Sequence, residues 1–133
     1  MAVTAGIGNS MKLDFDQPST RLTISGYSVD GINIGGRLLV EPFVVSENDI
    51  LVDLLPRSVA AIEIVHIEKL VALRQSIILI GTGVTQIFLD GHILLPALEA
   101  HIGVEIMSTP AACRSFNVLV AENRAVTGAF YMP

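Results

Sequence analysis

The second half of the chain alternates apolar, strand-like runs with helical segments, and this alternation restricts the possible folds more than any other feature. Residues 76–83, SIILIGTG, form an unbroken apolar run that ends in glycines, as is typical of a strand buried on both faces. Further strands are predicted over 103–109 and 125–132, with helices over 91–101 and 110–123. Strand–helix–strand crossovers require parallel strands with helices packed on the sheet, so an α/β fold is predicted.

The ends of these helices carry recognisable signals. Asp90 and Thr109 are residue types that cap helix N-termini, and Pro110 suits a first helical position because it has no N–H to leave unpaired. Asn123 tolerates the left-handed conformation that ends many helices. We therefore expect helices capped by Asp90 and Thr109, the second ending near Asn123.

The first half begins with a predicted β-hairpin. Asp30 and Gly31 stand between two alternating segments, 21–28 and 31–36. Asp-Gly suits the two central positions of a tight hairpin turn, where both residues need positive φ. The sequence therefore predicts a hairpin that turns at Asp30 and Gly31.

The remainder of the first half has weaker signals. A third strand is predicted over 38–46, which is rich in β-branched and aromatic residues, with an edge or a bulge at Pro42. A short strand over 50–54 is followed by an extended loop to about residue 64. An amphipathic helix is predicted over 65–75.

Size and composition indicate one well-packed domain. The 133 residues match a common domain length, and 51% of them are hydrophobic, so a substantial core is expected. We predict a flexible tail over 1–10 and a single α/β domain over 11–133. Because only 16% of residues are charged, part of the apolar surface is expected to be covered by a protein partner or by a second copy in a homodimer.

Charge and targeting signals exclude several classes of function. The net charge is −5 and the eight basic residues are scattered, so no nucleic-acid binding is expected. No apolar stretch reaches the length of a membrane helix, so no membrane insertion is expected. The single cysteine cannot form an internal disulfide, and a cytoplasmic location is predicted.

Cys113 is the one candidate nucleophile with a suggestive position, near the start of a predicted helix. On that helix it shares an apolar stripe with Ala112, Phe116, Leu119 and Val120, which faces the sheet. It also lies a full turn inside the helix, where the dipole effect has faded. Cys113 is therefore interpreted as a packing residue, and no catalytic residue is assigned.

Metal and cofactor sites lack the necessary spacing. The three histidines, His66, His92 and His101, have no i, i+3 or i+4 relationship and no nearby cluster of ligands, so no metal is expected. The segment 81–86, GTGVTQ, lacks the third glycine of the dinucleotide fingerprint and the Lys of the nucleotide-triphosphate loop. No cofactor is predicted.

The carboxyl ends of the strands over 76–83 and 103–109 form the candidate site. Open α/β sheets bind ligands at such ends when the strand order reverses between neighbouring strands. The residues expected to line this crevice for a ligand or a partner are Gly81, Thr82, Gly83, Ser108, Thr109, Arg114 and Asn117.

Several segments together resemble a known family. They are MKLDFD, ISGYSVDGINIGG and LLVEPF near the start, then IILIGTG, QIFL and GVEIMSTPAACRSFNVLVAENRAV. The chain resembles the domain-of-unknown-function 498 (DUF498) family, which includes the mitochondrial complex I (NADH:ubiquinone oxidoreductase) assembly factor 3. The resemblance covers about residues 11–130. Where the family usually has Asp and Tyr, this chain has Ser108 and Phe116, so two polar groups are missing from the crevice.

The resemblance implies a fold and a role. The implied fold is a three-layer α/β sandwich with a mixed, largely parallel central sheet, helices packed on it and an N-terminal β-hairpin layer. The implied role is a non-catalytic protein-interaction or assembly factor, linked to assembly of a membrane-bound respiratory complex. The alternative is a small-molecule-binding protein or enzyme that uses the crevice, with Arg114 holding an anionic group. An enzymatic role is disfavoured but left open.

Overall fold

The computed structural model describes residues 21–133. The tail predicted over 1–10 lies outside these residues, as does the start of the domain predicted over 11–133. The strands of the described part are β1 (Ile24–Ser28), β2 (Gly31–Ile34), β3 (Arg37–Leu39), β4 (Phe43–Ser46), β5 (Asp49–Leu51), β6 (Ile77–Gly81), β7 (Gly103–Met107) and β8 (Val126–Phe130). The α-helices are α1 (Ile64–Val71), α2 (Leu95–Glu99) and α3 (Thr109–Ala121), and two 3-10 helices span Val59–Ala61 and Gly91–Leu94.

The described strands form two sheets. Strands β1, β2 and β3 make an antiparallel sheet, called here the small sheet. The central sheet has the order β5-β4-β8-β6-β7. Its β5–β4 and β4–β8 pairs are antiparallel, whereas β8–β6 and β6–β7 are parallel. The predicted mixed sheet is thus confirmed, and its parallel pairs join the three strands of the second half.

Two apolar clusters cover the two faces of the central sheet, which makes three layers. On one face, α3 and the small sheet pack around the buried rings of Phe43, Phe116 and Phe130. On the other face, α1, α2 and the 3-10 turns pack over Ile78 and Ile80. The Phe116 and Phe130 rings meet edge to face, with centroids 5.7 Å apart, an arrangement that aromatic pairs favour. The predicted three-layer α/β fold is confirmed.

Two glycines allow α3 to lie close to the sheet. A Cβ added to Gly81 would lie 3.0 Å from the Thr109 Oγ1 atom and 3.1 Å from the Ala112 Cβ atom. A Cβ added to Gly128 would lie 2.5 Å from a carbon of the Phe130 ring and 3.1 Å from one of Phe116. A Cβ at Gly128 would come closer to the Phe130 ring than real side chains do, and a Cβ at Gly81 would force Thr109 and Ala112 to shift, so both glycines let the helix lie close to β6 and β8.

The predicted hairpin is confirmed, but its turn differs. Ser28 pairs with Gly31, so Val29 and Asp30 are the central residues of the turn. Of the two residues predicted to have positive φ, only Gly31 has it, at 149°. A Cβ on Gly31 would collide with the Leu39 carbonyl oxygen, so the glycine serves the approach of β3 rather than the turn.

The third strand predicted over 38–46 is two strands in two sheets. Strand β3 ends at Leu39 in the small sheet, and β4 begins at Phe43 in the central sheet. Pro42 lies in the bend between them, where its missing N–H costs no ladder hydrogen bond. Apolar residues stand on both sides of the bend, at 38–40 and 43–45, which explains why the pattern predicted one strand.

Two helix starts also differ from expectation. Asp90 makes no side-chain cap, and the chain after it forms the 3-10 turn Gly91–Leu94 before the short α2. The cap of α3 is Ser108 rather than Thr109, because the Ser108 hydroxyl accepts from the Ala111 N–H at 3.4 Å. The predicted end of α3 is confirmed, since Asn123 has φ 60°.

The helix predicted over 65–75 is confirmed in position, although α1 is shorter. It begins with a capping box in which the Glu63 N–H donates to the His66 Nδ1 atom at 2.9 Å. Arg74 has φ 64°, so it lies in the turn after the helix. The short strand predicted over 50–54 corresponds to β5.

Candidate functional site

Five of the predicted crevice residues come together at the carboxyl edge of β6 and β7. Gly81 ends β6 and is followed by Thr82 and Gly83, and Ser108 and Thr109 follow β7. The chain leaves β6 toward α2 on one face of the sheet and leaves β7 toward α3 on the other. Neighbouring parallel strands whose connections leave to opposite faces create a crevice between them. The topology therefore provides the switch point that the sequence predicted.

Thr109 lies at this switch point and makes hydrogen bonds to the neighbouring segments of the same chain. The Gly83 N–H donates to the Thr109 Oγ1 atom at 2.8 Å, and the Thr109 hydroxyl donates to the Tyr131 carbonyl at 2.6 Å. The Thr109 N–H also donates to the Gly83 carbonyl at 2.7 Å. Thr109 is completely buried. One threonine side chain thus ties together the segments that follow β6, β7 and β8.

Thr82 organises the loop that follows β6. Its N–H donates to the Met107 carbonyl at 2.9 Å. Its hydroxyl donates to the Thr85 carbonyl at 2.6 Å and accepts from the Ile87 N–H at 3.0 Å. Thr82 is only 4% exposed. The hydroxyls of Thr82 and Thr109 are therefore both buried and paired within the chain, and neither offers a free polar group to a ligand.

Asn117 and Arg114 do not join the other five residues. The Asn117 side chain accepts from the Ile24 N–H at 2.8 Å and donates to the Ile24 carbonyl at 2.7 Å. Arg114 donates to the Tyr27 hydroxyl at 3.0 Å on the surface. Both therefore connect α3 to β1, and the expectation that they line the crevice is wrong. Binding of a ligand between the two strand ends stays a prediction.

Cys113 is a packing residue, as predicted. The thiol is 1% exposed and packs in the cluster with Phe116 and Phe130. Burial raises the pKa of the Cys113 thiol to about 11, against a smaller opposite effect of the Arg114 guanidinium. A thiol with such a pKa is almost wholly protonated near neutral pH, so it is a poor nucleophile.

Sequence reasoning missed the surface of the loop after β6. Val84, Ile87 and Phe88 are 76%, 44% and 78% exposed, and we call residues 84–88 the apolar loop. The Gln86 side chain anchors it to β7 by donating to the Ile106 carbonyl at 2.9 Å. The signal for this surface in the sequence is a group of three large apolar residues between two turn-forming segments.

Neither a metal-binding cluster nor a membrane-spanning helix occurs among the described residues. Within residues 21–133, no group of three or more His, Cys, Asp or Glu side chains could hold a metal ion. In the same range, no helix has both the length and the apolar character needed to cross a bilayer.

Residues 24–131 match the model of a protein family described as a protein of unknown function, DUF498/DUF598. The chain belongs to the DUF498 family. The match includes every strand and helix named above. The resemblance noted from the sequence segments is thereby confirmed.

The relatives of this chain include a bacterial protein and vertebrate proteins. The chain is 29% identical over 118 residues to the zebrafish (Danio rerio) NADH dehydrogenase [ubiquinone] 1 alpha subcomplex assembly factor 3, covering 88% of this chain and 68% of that protein. It is 37% identical over 62 residues to the 13 kDa major membrane protein of Francisella tularensis, covering 47% of this chain and 50% of that one. The chain thus aligns with about half the length of the Francisella protein.

A solved structure supports the DUF498 fold described above. The crystal structure of a Bordetella parapertussis protein superposes with a TM-score of 0.79 at 25% sequence identity, and the alignment covers 85% of this chain and 97% of that chain. The three-layer arrangement is therefore shared with an experimentally determined structure.

Proposed function

We propose that this protein acts by binding another protein, as a non-catalytic assembly factor, and that the apolar loop is its contact surface. The observation that carries the proposal is the exposure of Val84, Ile87 and Phe88 on one short loop. Exposed apolar groups that lie together on a surface are typical of protein-interaction sites. Aromatic residues such as Phe88 are also enriched in the buried centres of interfaces.

The apolar loop is held in one conformation before any partner arrives. The Thr82 hydroxyl bonds the backbone at Thr85 and at Ile87, and the Gln86 side chain bonds β7. A loop that is already ordered loses little conformational entropy on binding, which favours affinity. The buried threonine thus contributes to recognition by fixing the loop rather than by contacting a ligand.

The relatives support an assembly role. Three of them are named as assembly factor 3 of the NADH dehydrogenase [ubiquinone] 1 alpha subcomplex. By analogy, the partner proposed for this chain is a subunit or assembly protein of a membrane-bound respiratory complex. The proposed location is the cytoplasm, at the surface of that complex. The alternative, a small-molecule site in the crevice, gains no support from the paired hydroxyls of Thr82 and Thr109.

The test is affinity capture from extracts of the source cell, comparing the wild-type protein with Phe88→Asp. The wild-type protein should recover respiratory-complex subunits or their assembly proteins, identified by mass spectrometry. Phe88→Asp should lose them, because burying an unpaired carboxylate in the interface is energetically unfavourable. Val29→Asp is the matched control, since Val29 is 88% exposed at the hairpin turn. Equal recovery by wild type and Phe88→Asp would refute the apolar loop as the contact surface.

A further inference from the structure

We propose that the free edge of β7 pairs with the same edge of a second copy, giving a two-fold dimer in which the central sheet continues across the interface. Among residues 21–133, β7 is the last strand on its side of the sheet. It is five residues long, whereas the opposite edge strand β5 has three. An unpaired strand edge presents backbone donors and acceptors that another strand can use.

The pairing of β7 with β6 shows which backbone groups face outward. The Gly103 N–H donates to the Ser76 carbonyl, and the Met107 carbonyl accepts from the Thr82 N–H. Gly103, Glu105 and Met107 therefore direct their backbone groups toward β6. By the alternation of a strand, the backbone groups of Ile102, Val104 and Ile106 point to the free edge.

Two of these outward groups are already paired within the chain. The Ile102 N–H donates to the Ala97 carbonyl at 2.9 Å. The Ile106 carbonyl accepts from the Gln86 side chain at 2.9 Å. The outward groups that have no partner among the described residues are the N–H and carbonyl of Val104, the N–H of Ile106 and the carbonyl of Ile102.

These remaining groups are self-complementary about a two-fold axis at Val104. Antiparallel pairing centred there sets Val104 against the partner subunit's Val104, which gives two N–H to carbonyl bonds. Ile106 then lies opposite the partner subunit's Ile102, and the Ile106 N–H meets the Ile102 carbonyl in each direction. The four bonds use the unpaired groups and leave the Ala97 and Gln86 bonds in place.

The side chains fit the same register on both faces of the sheet. Ile102, Val104 and Ile106 are partly buried against the cluster under α1 and α2, so the cross-strand pairs on that face are apolar. On the other face, Glu105 lies opposite the partner subunit's Gly103, which has no side chain to block it.

The charges near the edge also favour this register. A groove of about 520 Å³ between β7 and α3 is lined by Gly103, Glu105, Arg114 and Arg124, among others. In the dimer, the Glu105 carboxylate passes over the partner subunit's Gly103 toward a groove with two arginines. A register centred on Glu105 would instead oppose two carboxylates directly and displace Gln86, so it is disfavoured.

Sedimentation equilibrium tests the dimer. At micromolar concentration, the measured molar mass of the wild-type protein should be twice the 14.2 kDa of one chain. Val104→Pro removes an outward N–H that β6 does not use, so it should raise the dimer dissociation constant by about tenfold or more. Val104→Thr keeps the N–H and a similar shape and should leave the dimer intact. A monomeric wild-type protein at millimolar concentration, or an undiminished dimer in folded Val104→Pro, would overturn the proposal.

Two measurements keep the test independent of how Val104→Pro folds. Val104→Cys in a Cys113→Ala background should form an intermolecular disulfide on oxidation, because the two positions face each other across the axis. Val29→Cys in the same background, on the exposed hairpin turn, should not. The amides of Val104 and Ile106 should exchange hydrogen more slowly as the wild-type concentration rises. Concentration-independent exchange, or equal cross-linking of both cysteine variants, would contradict the register.

Discussion

Replacing Thr109 by valine should destabilise the fold more than any other conservative change at the switch point. Valine has nearly the same shape as threonine but cannot accept from Gly83 or donate to Tyr131. Because Thr109 is completely buried, water cannot replace the lost partners. The Gly83 N–H and the Tyr131 carbonyl would each lose the bond that the Thr109 side chain supplies.

The magnitude follows from the two groups that lose this partner. A buried donor or acceptor without a partner costs about 1–3 kcal/mol, so the pair costs about 4 kcal/mol. Replacing the hydroxyl by a buried methyl group stabilises the folded state by about 1 kcal/mol. The expected loss in the free energy of unfolding is thus about 3 kcal/mol. With a denaturant slope of about 1.5 kcal/mol per molar, the urea midpoint should fall by about 2 M.

Urea unfolding followed by circular dichroism measures this loss, with two controls. Thr109→Ser keeps the hydroxyl and removes only a methyl group, so it should cost about 1 kcal/mol. Thr85→Val changes an exposed side chain, because Thr85 enters the network through its carbonyl, and should stay within about 0.5 kcal/mol of wild type. If Thr109→Val unfolded within about 1 kcal/mol of wild type, the switch point would not depend on these bonds.

Two further predictions concern α3. Cys113 should react slowly with thiol reagents in the native protein and rapidly in urea, and fast native labelling would contradict its role in packing. Burial raises the pKa of Cys113 from 9.0 to about 11 in the folded state, so the thiol loses its proton at lower pH in the unfolded chain. The free energy of unfolding should therefore fall by about 2–3 kcal/mol between pH 9 and 11. In thermal melts over this pH range, Cys113→Ala should show a smaller fall. Asn117→Ala should lower the free energy of unfolding by about 1–3 kcal/mol and speed hydrogen exchange at the Ile24 amide, because the Asn117 side chain bonds that amide. Unchanged exchange at Ile24 would show that Asn117 does not hold β1.

The layered fold was predictable because periodicity is a strong signal over buried elements. The run at 77–81 is apolar at every position, and α3 carries a clear apolar stripe with Cys113 inside it. The break at Pro42 was not predictable in the same way. The segments 38–40 and 43–45 on its two sides are apolar, and only the tertiary structure places them in different sheets.

The candidate site was predictable in position and not in chemistry. Parallel strand ends must meet at one edge, so Thr82 and Thr109 were expected to be neighbours. Their hydroxyls, however, donate hydrogen bonds to the carbonyls of Thr85 and Tyr131. These carbonyls come within reach only in the folded chain. Asn117 bonds a residue 93 positions earlier in the chain, and no local pattern reports such a partner.

The last strand of the chain, β8, lies in the middle of the central sheet between β4 and β6. During synthesis, the β4–β5 pair and the β6–β7 pair therefore remain separate until β8 itself has been synthesised. Such a high contact order predicts slow folding, with exposed intermediates that need protection from aggregation. A truncation that removed only β8 would leave two half-sheets that no other described strand joins, and it should abolish cooperative folding.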